Sequence, residues 1–199
     1  MCESQEITVR TKEWSNPTAA GLVALAVACF CFFGMLNGHF GASDDPNRLL
    51  VGCWLIGGFV IQIIVALVDL KGGNHTGGNT FLFFSAFFML SAGLGIFIKF
   101  FFGAGALVDG YVWLAIMLVL FLWTPAFFKK FGILSLIVLA LDIALPLLVL
   151  VDFNLLPSLT ATFASVAGWV LIVAGLLAIY LSATMVVNNA YGRRVYPLG

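Results

Sequence analysis

Apolar and polar positions are segregated into long blocks along this chain. After a polar start, apolar runs occupy roughly residues 17–38, 48–70, 80–102, 109–128, 131–151 and 158–189. Each is about 20 residues or longer, the length an α-helix needs to cross a hydrocarbon core of about 30 Å. The pattern predicts an all-α membrane protein of six transmembrane helices forming a bundle. The last run exceeds the bilayer, so its final turns are expected in water.

Polar punctuation fits the same scheme. Asp44, Asp45, Pro46 and Asn47 separate the first two runs, and Gly103 and Gly105 end the third. The stretch from Lys71 to Gly78 reads as a flexible loop, Lys129-Lys130 ends the fourth run, and Asp152 to Pro157 make a turn. At the first boundary stand Asn16, Pro17, Thr18, Ala19, Ala20, Gly21 and Leu22. Asn16 is a good cap, and Pro17 suits a first helical turn. Such an end offers free N–H groups and a positive dipole to an anion, although any helix entering a membrane has the same features. The expected organisation is a tail over residues 1–15, a six-helix domain over 16–190 and a second tail over 191–199.

Composition sharpens the class. Hydrophobic residues make up 62% and charged residues 9% of the 199, against roughly a quarter charged in soluble domains. A net charge of zero gives no sign of nucleic acid. Residues 1–15 lack an apolar core with a cleavage site, so no removable signal peptide is expected. Arg10, Lys12, Lys71, Lys129, Lys130, Arg193 and Arg194 fall on one side, Arg48 and Lys99 on the other. This excess places both termini in the cytoplasm, with the chain a multi-pass protein of the cell membrane.

The residues of reactive chemistry are sparse. Cys29 and Cys31 point to different faces of one helix, and Cys2 and Cys53 stand apart, so no metal site is read. His39 and His75 read as loop or span-end residues. No constellation suits catalysis, so neither an enzyme nor a cofactor is expected. Gly34 with Gly38, Gly57 with Gly58, Gly93 with Gly95, and Gly168 with Gly175 form small faces that allow helices to approach. Lys99 reads as reaching to the surface. Asp142 lies mid-span, where a carboxylate costs about 3 kcal/mol and needs a partner, a proton or water. Either proton or substrate handling, or a neutral carboxyl bonded to a neighbouring helix, satisfies that need. Gln62, Ser85, Thr124 and Ser135 are candidates for a polar path or for bonds to their own helices.

Longer motifs carry a resemblance. Asn16-Pro17 with Gly21-Leu22, then Gly78-Asn79-Thr80-Phe81, then Ala167-Gly168-Trp169, Ala178-Ile179-Tyr180-Leu181 and Gly192-Arg193 are similar to motifs of the acetate uptake transporter family. That family includes bacterial succinate–acetate permeases and fungal acetate and ammonium transporters. The resemblance implies a pore inside each six-helix subunit and a homo-oligomer, a hexamer. It implies a substrate-binding mouth at Asn16, Pro17, Gly21, Leu22, Asn79, Thr80, Phe81 and Ser85. It implies a constriction at Leu25, Met89 and a leucine at or beside Leu139, where Leu25 and Met89 replace the family's aromatic and tyrosine. Gln62 and Asp69 match polar residues of its second helix, whereas Met185 and Asn189 replace two acidic residues of its last.

The expected function is therefore a channel or transporter for acetate and related small monocarboxylates, with succinate a further candidate. A proton path would use Asp142 and Gln62. Moving one negative charge inward against 100 mV costs about 2.3 kcal/mol, so accumulation requires a co-moving proton, while a channel vents acetate outward. Two alternatives stand beside this: a channel for a small nitrogen solute such as ammonium or urea, and a non-transporting membrane sensor or assembly protein. The lipid bilayer is the expected partner in every case.

Overall fold

A computed structural model describes residues 14–42, 44–129 and 132–197. The N-terminal basic residues Arg10 and Lys12, together with Lys130, Phe131 and the last two residues, lie outside the described residues. Six helices are long and apolar enough to cross a membrane. They are α1 (Thr18–Leu36), α2 (Asn47–Lys71), α3 (His75–Phe102), α4 (Leu107–Phe128), α5 (Ile133–Asp152) and α6 (Thr160–Tyr191), the last preceded by a short 3₁₀ turn, Pro157–Leu159. No strand occurs among the described residues.

Local chemistry sets the helix ends. Asn16 Oδ1 accepts from the Thr18 N–H at 2.8 Å, and the Pro17 carbonyl accepts from Ala20 N–H at 2.9 Å. Asp45 serves α2 in the same way, accepting from Asn47 N–H at 2.8 Å. The third helix begins at His75, five residues before the expected start at Thr80, because Asn74 Oδ1 accepts from Gly77 N–H at 3.0 Å. The supposed flexible loop thus shrinks to a tight turn in which Gly73 takes φ +82°, and His75 is helical. Gly103 closes α3 in the left-handed conformation.

α3 is not uniform. It is α-helical through Phe83, π-helical over Phe84–Ser91 and α-helical again over Ala92–Phe102. A wider turn of this kind shifts which side chains share a face.

The helices pack as a sequence of neighbours. α1 lies against α2 and α6, α6 against α5, α5 against α4, and α2 against α3. Both described chain ends meet at one end of the bundle, where Ser182 Oγ of α6 donates to the Ala19 carbonyl of α1 at 2.9 Å. At the opposite end Ser165 Oγ donates to Asn37 Oδ1 at 2.7 Å. Two glycine contacts set spacing. A Cβ on Gly52 would come 2.9 Å from the Gly93 carbonyl oxygen, and one on Gly175 would press on Cys29 and Phe30 at 3.1 Å. Only glycine allows these backbones so close. Gly57 and Gly95 face open space and set no such contact.

Mid-bundle, aromatic rings fill the space between helices. Phe32 stacks on Phe88 with centroids 5.0 Å apart, and Trp113 meets both edge-on at 6.2 and 5.8 Å. Phe84 meets Phe88 at 5.4 Å. Lys99, expected to reach for the surface, instead forms an ion pair with Asp109, tying the end of α3 to the start of α4.

Candidate functional site

The site grows from the junction where the described chain begins. Thr18, in the first turn of α1, donates to both oxygens of Asp69 at 3.2 Å, and Asn74 Nδ2 donates to Asp69 Oδ2 at 3.0 Å. Asp69 is buried at 3% exposure, so one carboxylate binds the start of α1 and the α2–α3 turn to the end of α2. A buried carboxylate persists only where donors surround it, and these donors are supplied. The arrangement holds Asn16, Thr18, Asn74, Thr76 and Thr80 around one opening.

That opening leads into a cavity of about 640 Å³ at the end of the bundle that carries the termini. Its rim is polar, with Lys129 as its one cation among the described residues, and no Asp or Glu lines it. Deeper in, the wall is Leu22, Leu25, Phe81, Phe84, Ile137, Val138 and Leu141. One polar group interrupts this apolar wall. Gln62, 1% exposed, donates from Nε2 to the Gly21 carbonyl at 3.4 Å, while its Oε1 has no partner among the described residues. An unpaired buried amide oxygen carries a desolvation cost of about 1–3 kcal/mol, which a donor entering the cavity would remove. Beyond Leu25 and Phe84, the Phe32, Phe88 and Trp113 rings fill the path about one to two helical turns further on.

Several residues singled out by sequence meet on this cavity. Asn16, Leu22, Leu25, Gln62, Thr80 and Phe81 line it. Gly21 frames it, supplying the carbonyl that holds Gln62, and a Cβ there would lie 2.8 Å from the Phe81 ring, whereas Pro17 is not among the lining residues.

Others fall elsewhere. Asn79 donates to its own helix at His75 O, 2.8 Å, and borders a separate cleft of about 300 Å³ with Leu122 and Trp123. Ser85 is buried and donates to Leu82 O at 2.7 Å, off the cavity wall. Met89, fully buried, does not reach the cavity; its sulfur packs on α2, 3.0 Å from where a Gly58 Cβ would stand. The α3 side chains that line the cavity are Thr76, Thr80, Phe81 and Phe84. Leu139 is 43% exposed on the outer surface of α5, while Val138 and Leu141 line the cavity. Asp142 turns toward α4, and its Oδ2 lies 2.6 Å from Thr124 Oγ1. It does not border the cavity. Asn74, Thr76 and Met185 line the cavity without having been singled out as mouth residues. A capping pattern, Asn74 three residues ahead of Gly77, was the signal available for Asn74.

No protein-family model matches the sequence, and no curated protein matches it. Among solved structures, the bacterial acetate channel SatP has the same fold, with a TM-score of 0.79 over 94% of this chain and 99% of that one, at 23% sequence identity.

Proposed function

We propose that this protein is a membrane channel or transporter for acetate and related small monocarboxylates, a member of the acetate uptake transporter family with both termini in the cytoplasm. The observation that carries the reading is the cavity: hydroxyl and amide groups and one lysine around the rim, no carboxylate on the wall among the described residues, and an apolar interior with Leu25, Phe84 and Leu141. A carboxylate is attracted by a cation at such a mouth, and its methyl group fits the apolar wall. The shared fold with an acetate channel and the ordered motifs from Asn16 to Arg193 support the same conclusion.

A cation such as ammonium would meet a rim that carries a lysine and, among the described residues, no carboxylate, which disfavours the nitrogen-solute reading. The position of Asp142 supports passage without a proton relay through that residue, because its carboxyl is engaged with Thr124 rather than with the cavity. We assign the subunit its own pathway and place it in a homo-oligomer, following the family resemblance. Uptake of labelled acetate and of methylammonium into proteoliposomes tests the reading. Acetate flux well above protein-free vesicles, without methylammonium flux, is expected. The reverse pattern would remove it.

A further inference from the structure

The bundle end opposite the cavity carries a second set of charges. Arg48 opens α2, Lys99 lies near the end of α3, Asp109 near the start of α4, and Asp152 closes α5. Lys99 pairs with Asp109, and Asp152 and Arg48 are both within electrostatic reach of its ammonium. Lys99 and Asp109 remain 37% and 33% exposed, so water and small solutes reach the pair. Arg48 donates from one terminal nitrogen to the Gly41 carbonyl at 3.3 Å, while its Nε is buried with no partner among the described residues. Two cations are therefore crowded together, and part of their donor capacity is unused.

This cluster is joined to the aromatic block. The Trp113 side chain lies within electrostatic reach of Asp152, and its indole ring packs edge-on against Phe32 and Phe88. The ammonium that pairs with Asp109 thus also sits near the carboxylate beside a ring of the central block.

We propose that Lys99, with Arg48 beside it, is a carboxylate-binding site at the far mouth of the pathway, occupied by Asp109 until an external small carboxylate displaces it. The proposal rests on the reading of the protein as a monocarboxylate pathway and adds a docking position at the end away from the 640 Å³ cavity. One carboxylate takes the place of another on the ammonium, the displaced Asp109 turns to water, and the site gains one negative charge beside Arg48. Asp109 lies in the first turn of α4, close to the segment that follows Gly103. Taking Lys99 also alters the field on Asp152, the neighbour of Trp113, which gives the incoming ligand a physical connection to the aromatic block.

The test uses the full chain in lipid nanodiscs, with sodium acetate as the probe and sodium chloride as the ionic-strength control. The rate at which a water-soluble acylating reagent modifies Lys99 is followed by mass spectrometry, with Lys71 at the opposite end as the internal control. Acetate should slow modification of Lys99 and leave Lys71 unchanged. Asp109→Asn removes the internal competitor, so half-protection should need about two- to fivefold less acetate, the worth of a partly exposed ion pair. In proteoliposomes, Lys99→Met should raise the acetate concentration for half-maximal uptake, and Lys99→Arg should restore it. A purely structural ion pair would make Lys99→Met and Asp109→Asn fail alike, with no acetate protection in the parent protein, and that result overturns the site. Protection without any acetate flux would keep the site and remove the transport reading. Flux without protection would do the opposite.

Discussion

Asp142 Oδ2 lies 2.6 Å from Thr124 Oγ1, and the same hydroxyl lies 2.8 Å from the Leu120 carbonyl. A threonine hydroxyl has one proton to give. That proton is shared between the Leu120 carbonyl and Asp142 Oδ2, which accepts from Thr124. Asp142 then acts as a bond between α5 and α4 within the membrane rather than as a relay along the cavity. Asp142→Asn, which also accepts, should keep acetate exchange within about twofold of the parent, since hydrogen-bond exchanges of this kind change little net energy. Comparing exchange with pH-driven uptake in the same vesicles checks it; selective loss of the driven uptake would restore a coupling role.

Asp142 illustrates what the sequence could and could not disclose. Its cost in lipid is a property of residue type and depth, so its importance was legible. The direction of its side chain was not, because neighbouring residues on a helix point about 100° apart. Leu141 faces the cavity, and one residue on, Asp142 faces α4. The same rotation separates Leu139, on the outer surface, from Val138 on the wall. In α3 the π-helical turns over Phe84–Ser91 intervene, and Phe84 rather than Met89 lines the cavity. The six spans themselves depended only on long apolar runs, and they appear with ends shifted by a few residues. The largest shift, at His75, arose where a glycine-rich stretch concealed the Asn74 cap.

The cavity wall yields a contrast between three bulky substitutions. Leu25→Trp should block acetate flux with folded protein retained. Leu139→Trp, on the outer surface, should leave flux near the parent level. Met89→Trp should lower the yield of folded protein, because the site against Gly58 has no spare room and overpacking costs about 1–3 kcal/mol. Size-exclusion profiles beside flux measurements separate the outcomes, and blocked flux in well-folded Met89→Trp would return Met89 to the pathway.

Gln62 is the polar group set into the apolar wall, with one oxygen left unpaired. Gln62→Leu should reduce acetate flux by up to about tenfold, the worth of one hydrogen bond from the second Nε2 hydrogen to the passing carboxylate. Gln62→Glu, when ionised, places a negative charge beside the path and should reduce anion flux further. Rates measured across a series of acetate concentrations would show both, and unchanged flux in each variant would leave Gln62 a purely structural tie to Gly21.

Asp69 organises the mouth through Thr18 and Asn74. Asp69→Ala strands both partners at a buried junction and should lower stability by about 1–3 kcal/mol. Thermal unfolding in detergent would register it. Asp69→Asn should lose less, since the amide oxygen still accepts from one of the two.

The central claim is that the cavity bounded by Asn16, Thr18, Gln62 and Lys129 conducts small carboxylates. Counterflow tests it most directly: proteoliposomes loaded with unlabelled acetate, diluted into a trace of labelled acetate, with and without a pH gradient. The account predicts transient accumulation of label that is absent from protein-free vesicles, suppressed by Leu25→Trp and present without a pH gradient. Label uptake indistinguishable from protein-free vesicles, for acetate and for every other small monocarboxylate tried, would contradict it.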